Sequence, residues 1–279
     1  MGSRGMVMKV IITGGSGFAG SHLIQYMVGK YPGNDTVNLD ISANADNLKP
    51  FEDIPGYRFV KGDIGDKDFV LNLFAEEKPG IVINFVPYNE AGVKNLLDAC
   101  RLFGIRHYHQ VSEGEAPAQA GSTLAASIQA ADGFPVTVSR CCNLYGPCSR
   151  EDSLIPMAIA KALSGERIYL ENMGENVRDW LYVADYCRAI DLIVNEGKDG
   201  GTYDICSNSL QKDSHVVRTI LKILGRPETL IYYGNDRGKD REWPVADTAK
   251  ITEEMGWVPS YDLDTGLRKT IRWHMTQQY

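Results

Sequence analysis

In VIITGGSGFAGSHLIQYM (10–27), Gly14, Gly17 and Gly20 follow a β-branched run and open a segment with helical spacing. Glycines so placed let the backbone turn tightly and approach a pyrophosphate, whose charge is met by the free N–H groups of a helix N-terminus. A second apolar run ends in Asp40, about 20 residues beyond the last of these glycines. A carboxylate there accepts hydrogen bonds from both hydroxyls of an adenine ribose and repels a 2′-phosphate, so the expected cofactor is NAD rather than NADP. The plainer alternative is an Asp that starts the turn after a strand. In KGDIGD (61–66), Asp63 and Ile64 follow a third run, at the same edge of the implied sheet. Asp63 either reaches the adenine amine or caps the helix expected from 66.

The elements that must position these groups alternate. Strands are expected at 9–13, 36–40, 57–61, 81–85, 106–111 and 135–140, separated by helical patterns, which is the rhythm of βαβ units and a parallel sheet. The strands are nearly continuously apolar, as expected when helices cover both faces. After residue 140 the connections lengthen. Helices are expected at 153–164, with Asp152 or Ser153 as cap and Gly165 just past the end, from Asp185 to Gly197, and from Asp213 to Gly225. The fold class is therefore α/β: a Rossmann-type, doubly wound parallel sheet over 6–142. A smaller C-terminal α/β substrate lobe over 143–279 is partly interleaved with it.

Composition narrows the partners. Hydrophobic residues make up 43% of the 279 and charged residues 23%, with a formal net charge of -7. That balance disfavours nucleic acid or an anionic membrane as main partner, because phosphate binding needs clustered positive charge. The six cysteines include no C-x-x-C pair and no ligand-like spacing with histidine, so neither a disulfide framework nor a zinc site is indicated. They read as reduced thiols of a cytoplasmic protein, consistent with an N-terminus that passes into a strand without a signal-peptide core. His107 and His109 alternate with Tyr108 and face one side of the sheet; a structural or surface pair is expected there rather than a metal site. Cys142, at a strand end, is expected to pack, and Trp180, Trp243, Trp257 and Trp273 likewise, one of them beside the nucleotide base at most.

The glycine loop, GDI, INF, QVS, VTVSRCCNLYGP, NVRDWLYVADYCRAI and DTAKITEEMGWVPSYDLDTGLRKTIRW occur in an order that resembles the extended short-chain dehydrogenase/reductases. Within these the sequence is most similar to nucleotide-sugar 4,6-dehydratases of the dTDP-glucose type. The resemblance implies a tightly held NAD that takes a hydride from sugar C4, lets water leave across C5 and C6, and returns the hydride to C6. It extends the cofactor set from Gly14, Gly17, Asp40, Asp63 and Ile64 to Ser16, Phe18, Ala19, Ile41, Phe85 and Val86. It implies a nucleotide-sugar held by Asn143, Arg178 and Arg241, through forked and neutral donors to phosphate oxygens. Arg178 has an alternative as an ion-pair partner of Asp179 or another surface acid. A homodimer is implied as well.

The departures lie where the family does its chemistry. LAASIQAAD (124–132) aligns with the family's Tyr-x-x-x-Lys helix and puts Leu124 at the Tyr and Ile128 at the Lys; neither titrates. After QVS the chain supplies Ser112, Glu113 and Glu115 in place of a Thr-Asp-Glu set. Ser112 and Glu113 are the remaining catalytic candidates, with a solvated loop carboxylate as the plainer account of Glu113. The loop before VKNLL and the helix ending at Asp132 are both short, and in the family these helices build the dimer. Three readings stay open: a 4,6-dehydratase-like protein, a non-catalytic NAD- or nucleotide-sugar-binding protein that engages a partner, and a nucleotide-sugar epimerase or decarboxylase.

Overall fold

The computed structural model describes residues 8–43, 46–86, 89–112, 133–234 and 248–277. The chain divides into two compact units, one built from residues 1–141, 187–204 and 249–257, the other from 142–186, 205–248 and 258–279.

The first unit holds β1 (Lys9–Thr13), β2 (Asp35–Asp40), β3 (Tyr57–Lys61), β4 (Ile81–Asn84), β5 (His107–Ser112), β6 (Val136–Cys141) and, from later in the chain, β10 (Thr202–Ile205). Their order across the sheet is β10-β6-β5-β4-β1-β2-β3, with the pairs from β6 to β3 all parallel. The order reverses between β1 and β4, the switch point outside which an open α/β sheet binds ligands. This is the Rossmann arrangement expected from the strand rhythm.

Helices α1 (Phe18–Lys30), α2 (Lys67–Glu77) and α3 (Glu90–Leu102) follow β1, β3 and β4. Their spacing turns one apolar stripe to the core: Leu23, Ile24 and Met27 of α1 are buried, as are Val93, Leu96 and Leu97 of α3. Val10, Ile11 and Ile12 of β1 are fully buried, as a doubly covered central strand requires. The expectation of near-continuous apolarity fails at β3, whose Arg58 and Lys61 are exposed. It is the edge strand, and charge along an open edge discourages pairing with another chain. At the opposite edge β10 is fastened to β6 by a forked Arg140–Asp204 pair at 2.6 and 2.8 Å.

The second unit contains a three-stranded sheet in the order β11 (Leu210–Lys212), β9 (Val177–Tyr182), β7 (Asn143–Tyr145), and a two-stranded one of β12 (Ile231–Tyr233) and β8 (Ile168–Leu170). Its helices include α4 (Leu154–Ser164), α6 (Asp213–Leu224) and α8 (Leu263–Gln277), and its core gathers Ile155, Ile159, Val217, Ile220 and Leu267 with Tyr145, Trp180 and Tyr182. Gly165 and Gly225 end α4 and α6 in the left-handed conformation at φ 72° and 63°, the stop signals read in the sequence. The helix expected from Asp185 is α5 (Val183–Glu196), which starts two residues earlier. A further helix, α7 (Ala249–Met255), belongs to the first unit. Among the described residues no helix is long and apolar enough to cross a membrane.

Candidate functional site

β1 delivers Gly14 to the carboxyl edge with a φ of 69°, where its N–H donates to Leu39 O at 2.9 Å. A side chain is excluded there twice over, by the left-handed backbone and by Phe85 and Val86, which a Cβ would meet at 3.1–3.2 Å. A Cβ on Gly20 would stand 2.5 Å from Gly14 O and 2.8 Å from Gly15 Cα. The third glycine therefore lets α1 close onto the turn. Helix α1 opens after Gly17, which brings no side-chain cap to the N–H groups of its first turn. Phe18 is half-buried, edge-on to His22, and Ala19 is buried under the turn.

Asp40 starts the turn after its strand, the plainer of the two roles weighed for it, and also holds the glycine loop. Its Oδ1 accepts from Ser42 N at 3.1 Å, the turn after the strand, and its Oδ2 accepts from Ser16 N at 3.0 Å. The carboxylate thus already organises the glycine loop that it adjoins. Ile41 beside it is 67% exposed. Asp63 is not the helix cap: its Oδ1 accepts from Gly65 N at 2.8 Å, while Asp66 caps α2 through Phe69 N. Ile64 sends its side chain into the core against Gly92 of α3, and its main-chain O accepts from Asn95 Nδ2 at 3.0 Å. Phe85 N donates to Thr13 O, and Val86 N to Asn84 Oδ1 at 3.1 Å. A cavity of about 250 Å³ beside the end of β2 is lined by Ser16, Asn38, Ala43, Leu48 and Tyr57 among others.

Beneath this edge lies a polar network that the sequence reading passed over. Thr13 Oγ1 donates to Asn84 Oδ1, Asn84 Nδ2 donates to Gln110 Oε1 at 2.9 Å and to Tyr108 OH at 3.1 Å, and Tyr108 OH donates to Gln110 Oε1 at 2.6 Å. Burial raises the Tyr108 pKa far above its ordinary value, so it stays a neutral donor. The available signal was a polar residue at the end of each of two apolar runs, Thr13 and Asn84, and Gln110 in the neighbouring strand. His107 and His109 form a second buried chain: each shares Thr137 Oγ1 at 2.8 Å, and His109 Nε2 meets Ser139 Oγ at 2.9 Å. Both rings are buried, which makes them a structural pair and not a surface one, and burial pushes their pKa values down to about 4 and about 3.

Ser112 ends β5, buried and in register with Arg140. Glu113, Leu124 and Ile128 lie outside the described residues, as do Arg241 and Trp243. The Tyr-x-x-x-Lys spacing does occur at Tyr26 and Lys30 of α1, but about 12 Å along the helix from its phosphate-facing end. Lys30 is held by Asp191 at 2.5 Å, and burial raises rather than lowers the Tyr26 pKa. That pair is a structural clasp and no activated phenol.

In the second unit Asn143 opens β7 and its Nδ2 donates to Asp179 O at 3.3 Å. Arg178 of β9 pairs through Nε with Asp213, the first residue of α6, at 3.1 and 3.4 Å, and not with Asp179. Asp213 is buried, and that burial raises its carboxyl pKa despite the guanidinium. Asp179 Oδ1 instead accepts from Ser207 N at 3.0 Å and Ser207 Oγ at 2.5 Å. Trp180 and Trp257 are buried, as expected for packing.

A model of the NAD dependent epimerase/dehydratase family matches residues 115–206, and one of the GDP-mannose 4,6 dehydratase family matches residues 11–88. A dTDP-glucose 4,6-dehydratase of Xanthomonas campestris pv. campestris is 33% identical over 330 residues, which cover 96% of this chain and 93% of that protein. An alignment of 330 residues over a chain of 279 includes segments that the relative has and this chain lacks. The crystal structure of a dTDP-glucose 4,6-dehydratase from Bacillus anthracis, in complex with NAD, matches with a TM-score of 0.91 at 29% identity, over 98% of each chain. One from Streptomyces venezuelae, also with NAD bound, matches with a TM-score of 0.88 at 27% identity, over 97% of this chain and 98% of that one.

Proposed function

We propose that this chain, which belongs to the extended short-chain dehydrogenase/reductase family beside the dTDP-glucose 4,6-dehydratases, binds NAD and a nucleotide-sugar as a 4,6-dehydratase-like protein. The observation that carries the cofactor is the glycine turn, where Gly20 leaves no room for a methyl group and α1 presents uncapped N–H groups. The residues fit NAD: N–H groups of the loop and of α1 hold the pyrophosphate, and Asp40, already fixed by Ser16 and Ser42, accepts from the ribose hydroxyls. A second phosphate on that ribose would meet the Asp40 carboxylate, which favours NAD over NADP. When bound, NAD supplies reversible hydride acceptance. Gly17, whose own N–H donates to Gly14 O, leads into Phe18 and Ala19, which carry the donors of the first turn of α1. Ile41, Asp63, Ile64, Phe85 and Val86 border the edge.

In the second unit Asn143 and Arg178, with Arg241, hold the diphosphate of the nucleotide-sugar. Arg178 is oriented for this by its bond through Nε to Asp213. Ser112 contributes a hydroxyl at the end of β5, and Glu113, next to it in the sequence, is the candidate to move a proton. A homodimer and a cytoplasmic setting belong to the same reading; sedimentation of the purified chain tests the first.

A second reading rests on Leu124 and Ile128, which stand where the family's proton-transferring Tyr and its Lys are expected. On that reading the protein holds both ligands without turning them over. The experiment is common to the two: NAD is sought in the denatured, purified protein, and dTDP-glucose is incubated with it and analysed by mass for the loss of one water. Product supports the dehydratase. Bound NAD without product supports the non-catalytic reading, and neither NAD nor nucleotide-sugar binding overturns both.

A further inference from the structure

Three side chains beside the nucleotide-sugar residues play no part in that assignment. Cys142 follows β6, Cys206 follows β10, and Asp179 lies in β9. Cys142 N donates to Ile205 O at 3.4 Å, which sets the two cysteine-bearing segments side by side. The two sulfur atoms and a carboxylate oxygen of Asp179 all lie within 4.8 Å of one another, the group of three metal-ligating side chains that converges in this way among the described residues. Cys206 is 4% exposed, whereas Cys142 and Asp179 are half-buried, so the cluster is closed on its inner side and reachable from outside.

We propose that Cys142, Cys206 and Asp179 bind one thiophilic divalent cation, zinc above all, with a fourth position left to water or an outside ligand. Zinc takes sulfur at about 2.3 Å and carboxylate oxygen at about 2.0–2.2 Å in a tetrahedron, which places its ligands roughly 3.5–4 Å apart. Atoms already within 4.8 Å reach that spacing by small side-chain rotations. Two thiolates select zinc over magnesium or calcium, which prefer all-oxygen sites. The carboxylate is also oriented from behind, because Ser207 N and Oγ both donate to Asp179 Oδ1 while a carboxylate has a second oxygen to offer. Binding sends the two thiol protons to solvent and leaves both sulfurs as thiolates on the cation.

The site ties together the segments that carry Asn143 and Arg178. Asn143 is the next residue after Cys142 and donates to Asp179 O, and Arg178 precedes Asp179. Its evidence is nonetheless separate from the cofactor and the sugar: three ligand atoms of this chain and the cation alone.

The test uses the full chain, stripped with a chelator and kept reduced by a phosphine, and titrated with Co²⁺. A thiolate-to-cobalt absorption band is expected to saturate at one equivalent and to vanish when one equivalent of Zn²⁺ is added. Cys142→Ser and Cys206→Ser each remove the band, Asp179→Asn weakens binding tenfold or more, and Cys148→Ser leaves it unchanged. Should the buried Cys206→Ser fail to fold, the half-buried Cys142→Ser gives the same reading on protein whose circular dichroism is unaltered. A reduced wild-type protein without a saturable band, or a band that survives Cys142→Ser, overturns the proposal. So does a reduced protein that takes no cobalt while its air-oxidised form carries a Cys142–Cys206 disulfide, which would make the pair a redox couple and no cation site.

Discussion

At Gly20 a methyl group would have to occupy space within 2.5 Å of Gly14 O, so Gly20→Ala is expected to push α1 off the turn. The cost is about 1–3 kcal/mol of stability, by analogy with overpacked cores, and NAD is lost with it. Thermal melting and the NAD content of the purified variant check this together. Asp40→Ala removes one acceptor from Ser16 N and one from Ser42 N besides the ribose contacts. Hydrogen bonds to a charged group are worth about 1.5–3 kcal/mol, so titration calorimetry is expected to read NAD binding weaker by roughly tenfold or more. Arg178→Ala strands the buried Asp213 carboxylate at about 1–3 kcal/mol. Since burial already raises the Asp213 pKa, Asp213→Asn on top of it should restore part of the loss. A double-mutant cycle in which the two changes simply add would contradict the coupling.

Between residues and the whole stand the strands, and β5 with β6 makes the sharpest case. His107 and His109 are held neutral inside them, with pKa values pushed down to about 4 and about 3, while in the unfolded chain both titrate near 6.5. The unfolded state therefore binds more protons at mildly acid pH, so their contribution is complete above about 6.5 and is lost as pH falls below it. Burial lowers His274 as well, which adds in the same direction. Urea unfolding at pH 7, 6 and 5 should show stability dropping with a slope that approaches two protons from the β5 pair. A flat profile over that range would show that the pair is not buried. At β3 the local pattern misled for a different reason: YRFVK reads as a strand, but only neighbours in space decide that it is the last one and that Arg58 and Lys61 meet solvent.

For the whole molecule, the cofactor prediction is one of linkage. If NAD binds the folded chain alone, free NAD at a hundredfold excess over Kd stabilises it by about 2.7 kcal/mol, seen as a rise of several degrees in Tm. NADP at the same concentration should do far less while Asp40 is intact. The difference from relatives is also a property of the whole chain: the 330-residue alignment includes segments that this chain lacks, and the departures read after QVS and around 124–132 sit in residues outside those described. Whether the chain forms a homodimer is what sedimentation measures.

Local signals carried much of this protein. Six strands, three helices, the glycine turn and the family were legible because a period of two or 3.6, a Gly with positive φ or a Gly past a helix end is written in neighbouring residues. The partners of Arg178 and Asp179 were not, since they depend on which loop or helix the chain brings alongside: Asp213 and Ser207. The cysteines show the limit most clearly. Their spacing indicates no zinc site, yet Cys142 and Cys206, 64 positions apart in the chain, follow two strands that the sheet sets side by side, and their sulfurs converge with a carboxylate oxygen of Asp179. Sequence spacing reports ligands only when one turn or one helix holds them all; a sheet brings together what the chain keeps apart.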